Sequence, residues 1–294
     1  MNFLEEVNSG AILVSDGAWG TFLQNKGLKP GECPELWNDS HPQDIVDIGR
    51  TYIEAGADII LTNSFGGNAI KLKHYELDNR AAELNEKAAS LARQAAGSDK
   101  YVLGSIGPTG KILMMGDVTD DELYQAFTEQ ATALEKGGAD AILVETMSAL
   151  DEANLAIKAA KDNTELPVIC TFTFERTPDN TYRTMMGVSP TQMAETVLSA
   201  GAHIIGTNCG NGMARMVDIV KEQRAVASDV PILVHANAGS PVVKEGKTVF
   251  PETPAETASH VNAVIDAGAT IVGGCCGTAP EHITAIAQVV KERR

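Results

Sequence analysis

The chain of 294 residues stays within the size that a barrel of alternating strands and helices reaches as one domain, and its 44% hydrophobic and 21% charged residues exclude a disordered polymer. A formal net charge of −16 leaves no basic face for phosphate backbones or anionic headgroups, so neither nucleic acid nor a membrane is expected as a partner. The acidic start "MNFLEEVNSG", the lack of any apolar run near the ~20 residues of a membrane span, and five unevenly spaced cysteines point to a cytoplasmic protein whose sulfurs are thiols or metal ligands.

In chain order, the first apolar run is "AILVSDG" from residue 11, a buried strand. The turn after it, "SDGAWGTFL", lacks the G-x-G-x-x-G pattern of a dinucleotide-binding sheet. An irregular piece, "NKGLKPGECPELWNDSHP", leads to the helical pattern "QDIVDIGRTYIEAG". Further strands follow in "AGADIILTNSFG" from 55, "YVLGSIG" from 101, "GGADAILVETMS" from 137, "PVICTFTF" from 167, "AGAHIIGTNCG" from 200, "PILVHANAG" from 231 and "AGATIVGGCCG" from 267. Helical patterns lie between them, among them "DDELYQAFTEQATALEKG", "DEANLAIKAAKDN", "PTQMAETVLSAG" and "TPAETASHVNAVIDAG", with acidic residues in the first turn. A last one, "APEHITAIAQVVKERR", ends in basic residues that suit the helix dipole.

Four of these segments repeat one design: Gly-Ala, one variable residue, then an apolar run. Glycine ends a helix in the left-handed conformation at little cost, and a buried parallel strand follows almost at once. Seven residues on from Gly56, Gly138, Gly201 and Gly268 stand Asn63, Glu145, Asn208 and Cys275, so these four share one level at the carboxyl ends of their strands. Eight strands, each followed by a helix, predict an α/β fold, a (β/α)8 TIM barrel forming a single domain over residues 1–294, with a doubly wound open sheet as the runner-up. In a barrel, Asp16, Asn63, Ser105, Glu145, Asn208, Cys209, Asn237, Cys275 and Cys276 face one mouth. The irregular piece after strand one and "TFERTPDNTYRTMMGVSP" after strand five are expected to cover that mouth.

Cys209 ends strand six and the pair Cys275, Cys276 ends strand eight, so three sulfurs can converge on one ion. Three thiolates suit Zn²⁺ with a fourth position open, the mark of a catalytic site. Neighbouring strand residues point to opposite faces, and both cysteines reach one ion only if the chain turns; Gly273, Gly274 and Gly277 permit the turn or the close approach it needs. The plainer reading, a buried apolar thiol, is preferred for Cys170 inside its strand, and Cys33 reads as a structural loop cysteine. His235 reads as a core histidine, and His74, His260 and His282 as surface or cap residues. Glu145, a carboxylate closing an apolar strand, reads as functional, because an unpaired buried charge is expensive.

Taken together, "SDGAWGT", "LTNSFGGN", "GSIGPTG", "LVET", "GTNCGNG", "HANAGSP" and "VGGCCGTAPEHI" resemble the homocysteine S-methyltransferase family, and most of all the homocysteine-binding barrel of cobalamin-dependent methionine synthases. The resemblance spans essentially the whole chain. It implies a zinc ion on Cys209, Cys275 and Cys276, with the fourth site for the thiol of homocysteine, and methionine as product. It also implies that Asp16 and Glu145 meet the substrate ammonium and that the backbone N–H groups of Gly17 and Ala18 meet its carboxylate. Asn63, Ser105, Asn208 and Asn237 are further candidates for substrate binding, each with the alternative of bonding backbone at the mouth.

The methyl donor divides the family. The betaine-using branch carries tyrosines where this chain has Gly66 and Thr146, and the S-methylmethionine branch carries an arginine where this chain has Gly277. The corrinoid signature Asp-x-His-x-x-Gly is missing, the nearest string "DSHPQD" having Asp44 in place of glycine. The expectation is therefore a methyl-corrinoid protein acting in trans. The alternatives are a small sulfonium or betaine-type donor (S-methylmethionine, dimethylsulfoniopropionate or glycine betaine), a zinc hydrolase on the same fold, and a non-catalytic zinc- or thiol-binding subunit.

Overall fold

Each of the four Gly-Ala segments ends a helix and opens a strand, with Gly56, Gly138, Gly201 and Gly268 at φ of +105°, +100°, +102° and +120°. In the structure, a computed structural model, residues 2–244 and 247–293 are described; Met1, Glu245, Gly246 and Arg294, all within the expected domain of residues 1–294, lie outside them. The strands are β1 (Leu13–Val14), β2 (Ile59–Leu61), β3 (Tyr101–Ile106), β4 (Ala141–Met147), β5 (Val168–Phe172), β6 (Ile204–Gly212), β7 (Ile232–Asn237) and β8 (Ile271–Gly274). The main helices after them are α1 (Pro42–Glu54), α2 (Ala81–Ala96), α3 (Asp120–Lys136), α4 (Leu150–Asn163), α5 (Pro190–Ala200), α6 (Met213–Val226), α7 (Pro254–Ala267) and α8 (Pro280–Arg293). Capping boxes start three of them: Thr119 with Glu122, Ser189 with Gln192 and Thr253 with Glu256.

All eight strands are parallel in the order β1-β8-β7-β6-β5-β4-β3-β2. The sheet closes between β1 and β2 through a bridge from Ser15 to Ile59, with Asp58 N–H donating to Val14 O at 2.7 Å and Asp16 N–H to Ile59 O at 3.0 Å. The fold is a (β/α)8 barrel, and the open sheet is set aside. Two hairpins not legible beforehand decorate the carboxyl end: Glu175–Arg176 with Tyr182–Arg183, and Val242–Lys244 with Lys247–Val249.

The interior changes character at one level. Leu13, Leu61, Leu103, Leu143, Ile169, Ile204, Leu233 and Ile271 fill the barrel as one apolar cluster, closed below by Phe3 and Val7 of a short helix that precedes β1, Phe3–Asn8. Two residues farther along the same strands stand Ser15, Asn63, Ser105, Glu145, Thr171, Gly206, His235 and Gly273. Since side chains alternate with period two, these form the next inward layer, and every member is polar or glycine. The barrel therefore stops being a core at that level and becomes the floor of a site. A second, larger apolar cluster between sheet and helices holds the structure together.

Candidate functional site

Above the polar layer lies a cavity of about 290 Å³, lined by Gly17, Ala18, Trp19, Gly20 and Thr21 on one side, Asn63, Ser105, Glu145 and Thr146 on another, and Cys209, His235, Cys275 and Cys276 on a third. Pro34 and Glu35 of the loop after β1 complete the wall. That loop covers the mouth as expected. The loop after β5, by contrast, contributes nothing to the lining among the described residues.

The cysteines are brought in by two backbone irregularities. In β6 the pairing with β7 shifts register between Asn208 and Gly212, and Cys209 takes the left-handed region at φ +59°, followed by Gly210 at +71°. For a residue with a Cβ this conformation costs of order 1 kcal/mol, and bulges of this kind re-aim side chains at strand ends. After β8, Thr278 donates through both N–H and Oγ1 to Cys275 O at 3.1 and 2.7 Å, which makes the pair turn. Gly277, at φ +81°, supplies the positive φ, whereas Gly273 and Gly274 are still strand; there a Cβ would come within 2.8 Å of Ser15 and 2.2 Å of Thr278.

The three Sγ atoms lie within 4.8 Å of one another, with Cys209 and Cys276 at 3.8 Å. Tetrahedral coordination at a Zn–S length of about 2.3 Å requires sulfurs about 3.8 Å apart, so the donor set fits one zinc ion. Hydrogen bonds from Cys275 and then Cys276 hold the Cys209 thiol far below the ordinary range, while Cys275 and Cys276 are pushed up by donating to it. Asn237 also bonds Cys209 and leaves its own Oδ1 buried without a partner. Cys170 is fully buried in the core, and Cys33 is a buried loop thiol bonded to Glu35 Oε2 at 3.3 Å.

Across the cavity, Glu145 stands at a second bulge, where β4 shifts register against β5 and Thr146 takes φ +61°. Its Oε1 accepts from Ser105 Oγ and its Oε2 from Asn208 Nδ2 at 3.1 Å. Burial pushes its carboxyl up to about 7, opposed by the Ser105 bond and reinforced by Asp16 nearby. Asn208 does not line the cavity. Buried completely, it also donates to Thr146 Oγ1 and accepts from Thr146 N–H and Thr171 Oγ1, so it positions Glu145 from behind.

Other expected contacts are placed differently. Asp16 is fully buried behind the wall, its Oδ2 accepting from Trp19 Nε1 at 2.7 Å and Leu61 N–H at 2.8 Å; burial raises it to about 7 against those bonds. The N–H of Ala18 goes to Thr278 O and Oγ1, leaving Gly17 and the first turn of the helix Trp19–Lys26 as the backbone that lines this side. Asn63 directs its amide hydrogens to Pro34 O and Asn38 Oδ1, fastening the covering loop. Glu35 fastens it further by accepting from Gly66 N–H at 2.7 Å. His282 is buried, not at the surface, and caps α8 by accepting from Ala279 N–H.

Trp19, Glu35, Thr146 and His235 line the cavity without having been singled out as contacts. Trp19 had a local signal, since it lies three residues from Asp16 at a helix start. For Glu35, in a loop, no pattern existed.

A family model described as homocysteine S-methyltransferase matches residues 13–290. The chain belongs to the homocysteine S-methyltransferase family. Within that family's sequences it is 35% identical to a methionine synthase of Mycobacterium tuberculosis and 32% to one of Mycobacterium leprae, in each case over 98% of this chain and 25% of the relative. The chain thus spans about a quarter of the length of those relatives. Among solved structures, the homocysteine methyltransferase MmuM from Escherichia coli in its metallated form superposes with a TM-score of 0.76 at 22% identity, over 94% of this chain and 96% of that one, a likeness of fold. No described helix of this family member is long and apolar enough to cross a membrane.

Proposed function

We propose that residues 1–294 form the homocysteine-binding barrel of a zinc-dependent methyltransferase that converts homocysteine to methionine, with the methyl group delivered by a methyl-corrinoid carrier. The observation that carries this reading is the convergence of Cys209, Cys275 and Cys276 within 4.8 Å at one end of a cavity whose other end carries Glu145. A zinc ion held by these three sulfurs would lower the pKa of a substrate thiol, which with an ordinary value near ~8.5 is mostly protonated at neutral pH.

The remaining residues account for the amino-acid end. Glu145, steadied by Ser105 and Asn208, accepts the substrate ammonium. Gly17 and the first turn of Trp19–Lys26 present a helix N-terminus to the carboxylate. Asp16 acts through Trp19 and the backbone of Leu61, holding the two walls in register. The covering loop, fastened by Asn63 and Glu35, limits water at the sulfur. Once the thiol proton has left to solvent, the thiolate sulfur attacks the methyl carbon in line; the S–C bond forms, the bond from carbon to the donor breaks, and the donor leaves with the electron pair.

Packing around two glycines speaks against the side chains that betaine and S-methylmethionine users carry at those positions. A Cβ on Gly66 would stand 2.9 Å from Glu35 Oε1, and one on Gly277 would stand 2.3 Å from the Phe250 side chain. A tyrosine at Gly66 would have to displace the Glu35 carboxylate, and an arginine at Gly277 would have to displace the Phe250 ring and take a positive φ. Three thiols also suit thiol activation better than hydrolysis, which favours histidine and carboxylate ligands. The test is a donor screen with zinc-loaded protein and homocysteine, offering a methylcobalamin-loaded corrinoid protein, S-methylmethionine, dimethylsulfoniopropionate and glycine betaine. Methionine is expected with the first alone. Methionine from a sulfonium alone would replace the donor, and peptide or amide cleavage without methionine would end the transferase reading.

A further inference from the structure

One polar side chain of the cavity wall has no task in the scheme above. His235 lines the cavity at 1% exposure, and its Nε2 is buried with no hydrogen-bond partner. Other members of its layer are engaged: Ser105 with Glu145, Thr171 with Asn208, Ser15 with Asp16, and Asn63 with the covering loop. Buried polar atoms in folded proteins are bonded, and one without a protein partner in a cavity wall is a candidate to bond what enters the cavity.

Its position says which end of the ligand it meets. The register sets His235 directly beside Asn208 of β6 and Gly273 of β8. Those strands carry Cys209 one residue on and Cys275 two residues on. His235 therefore lies between the cysteine-bearing strands, beneath the sulfur site, while Glu145 on β4 is three strands away. Burial lowers the imidazole to about 3, so it is neutral in the working range and offers one N–H donor and one acceptor. An N–H is the complement of a sulfur carrying negative charge, and it does not neutralise the nucleophile as an imidazolium would.

We propose that His235 is a substrate-contacting residue whose imidazole hydrogen-bonds the sulfur end of the bound thiol amino acid. This rests on the homocysteine reading, and it assigns the specificity for a thiol to a side chain of the barrel floor in addition to the cysteines.

The test is calorimetric titration of homocysteine into zinc-loaded wild type, H235F, H235Q and H235N, with metal content measured on each preparation. H235F keeps a ring of similar bulk without donors; it is expected to retain zinc and bind homocysteine about tenfold more weakly. Glutamine reaches the Nε2 position and asparagine the Nδ1 position, so one of the two recovers affinity to within about threefold and the other does not. L-2-Aminobutyrate, which has the amino-acid end and no sulfur, is expected to bind wild type and H235F equally. Wild-type affinity for homocysteine in zinc-replete H235F overturns the proposal, and an equal loss for both ligands overturns its sulfur-end assignment. Should H235F lose the metal, equal affinities in H235Q and H235N overturn it. A zinc-replete wild type that binds no homocysteine refutes the functional reading itself, a result separate from variant-independent binding.

Discussion

The two ends of the cavity are built on different terms. At the amino-acid end, Glu145 has donors on both oxygens, Asn208 ties together Glu145, Thr146 and Thr171, and Asp16 is bonded to Trp19 and Leu61. At the sulfur end three thiols crowd on one another, Cys209 sits in a left-handed conformation, and the Nε2 of His235 and Oδ1 of Asn237, both on β7, stay unpartnered. One end is complete from the chain alone, and the other is completed by what binds. Under the proposed function, preorganisation suits the end that would recognise two fixed charges, and clustered thiols suit the end that would hold a cation and a reacting atom.

The largest expected effect breaks the incomplete end. Cys276→Ala removes one of three sulfurs and leaves two, one fewer than the three protein ligands of a catalytic zinc site. Metal content measured by atomic absorption and methionine formation are expected to fall to background together. A variant that keeps both would remove Cys276 from the ligand set. Next, Glu145→Gln keeps the shape of the complete end and removes its charge. The loss of a charge-assisted contact to the ammonium is about 2 kcal/mol, roughly thirtyfold in kcat/KM for homocysteine, with zinc unchanged. Metal loss in this variant would show that the two ends are not separable.

That separation explains which parts of the site were legible in the sequence. The Gly-Ala junctions are local features, a left-handed cap followed by a buried run, so counting seven residues on found Glu145, Asn208 and Cys275 at one level. The switch from apolar to polar at period two was written in the same strands. What was not legible depends on partners far apart in the chain: Ala18 N–H meets Thr278, Leu61 N–H meets Asp16, and Asn63 meets Pro34. No local pattern says whether a polar group at a barrel mouth faces a ligand or a loop. His235 illustrates the converse, since its strand position reads as core and only the neighbouring packing shows a cavity beside it.

A smaller effect concerns protons at the complete end. Burial raises the Asp16 carboxyl from 3.8 and that of Glu145 from 4.5, each to about 7. Both bind a proton more tightly folded than unfolded, so they destabilise the fold progressively as pH rises through that window and are without effect below it. His235, lowered from 6.5 to about 3, acts with the opposite sign at the acid end, which makes a single profile ambiguous. The difference between two profiles is not. In metal-free protein, scanning calorimetry of Glu145→Gln against wild type should show the variant gaining relative stability from about pH 4.5 to about pH 7. A pH-independent difference would mean that Glu145 is ionised throughout.

The smallest expected effect tests whether the complete end is complete through its network or through Glu145 alone. Ser105→Ala deletes the donor to Oε1 and leaves the Asn208 donor on Oε2, so the carboxylate keeps one of two supports. A hydroxyl donor that steadies the carboxylate without touching the substrate contributes about 1 kcal/mol, which predicts roughly a fivefold rise in KM for homocysteine with kcat nearly unchanged. Because the Ser105 bond opposes the effect of burial on Glu145, its removal should also move the acid limb of kcat/KM to higher pH. A rise in KM without that displacement would make Ser105 a packing residue, and a fall in kcat of equal size would mean that the two ends of the cavity are coupled through Glu145 and its neighbour Asn208 on β6 after all.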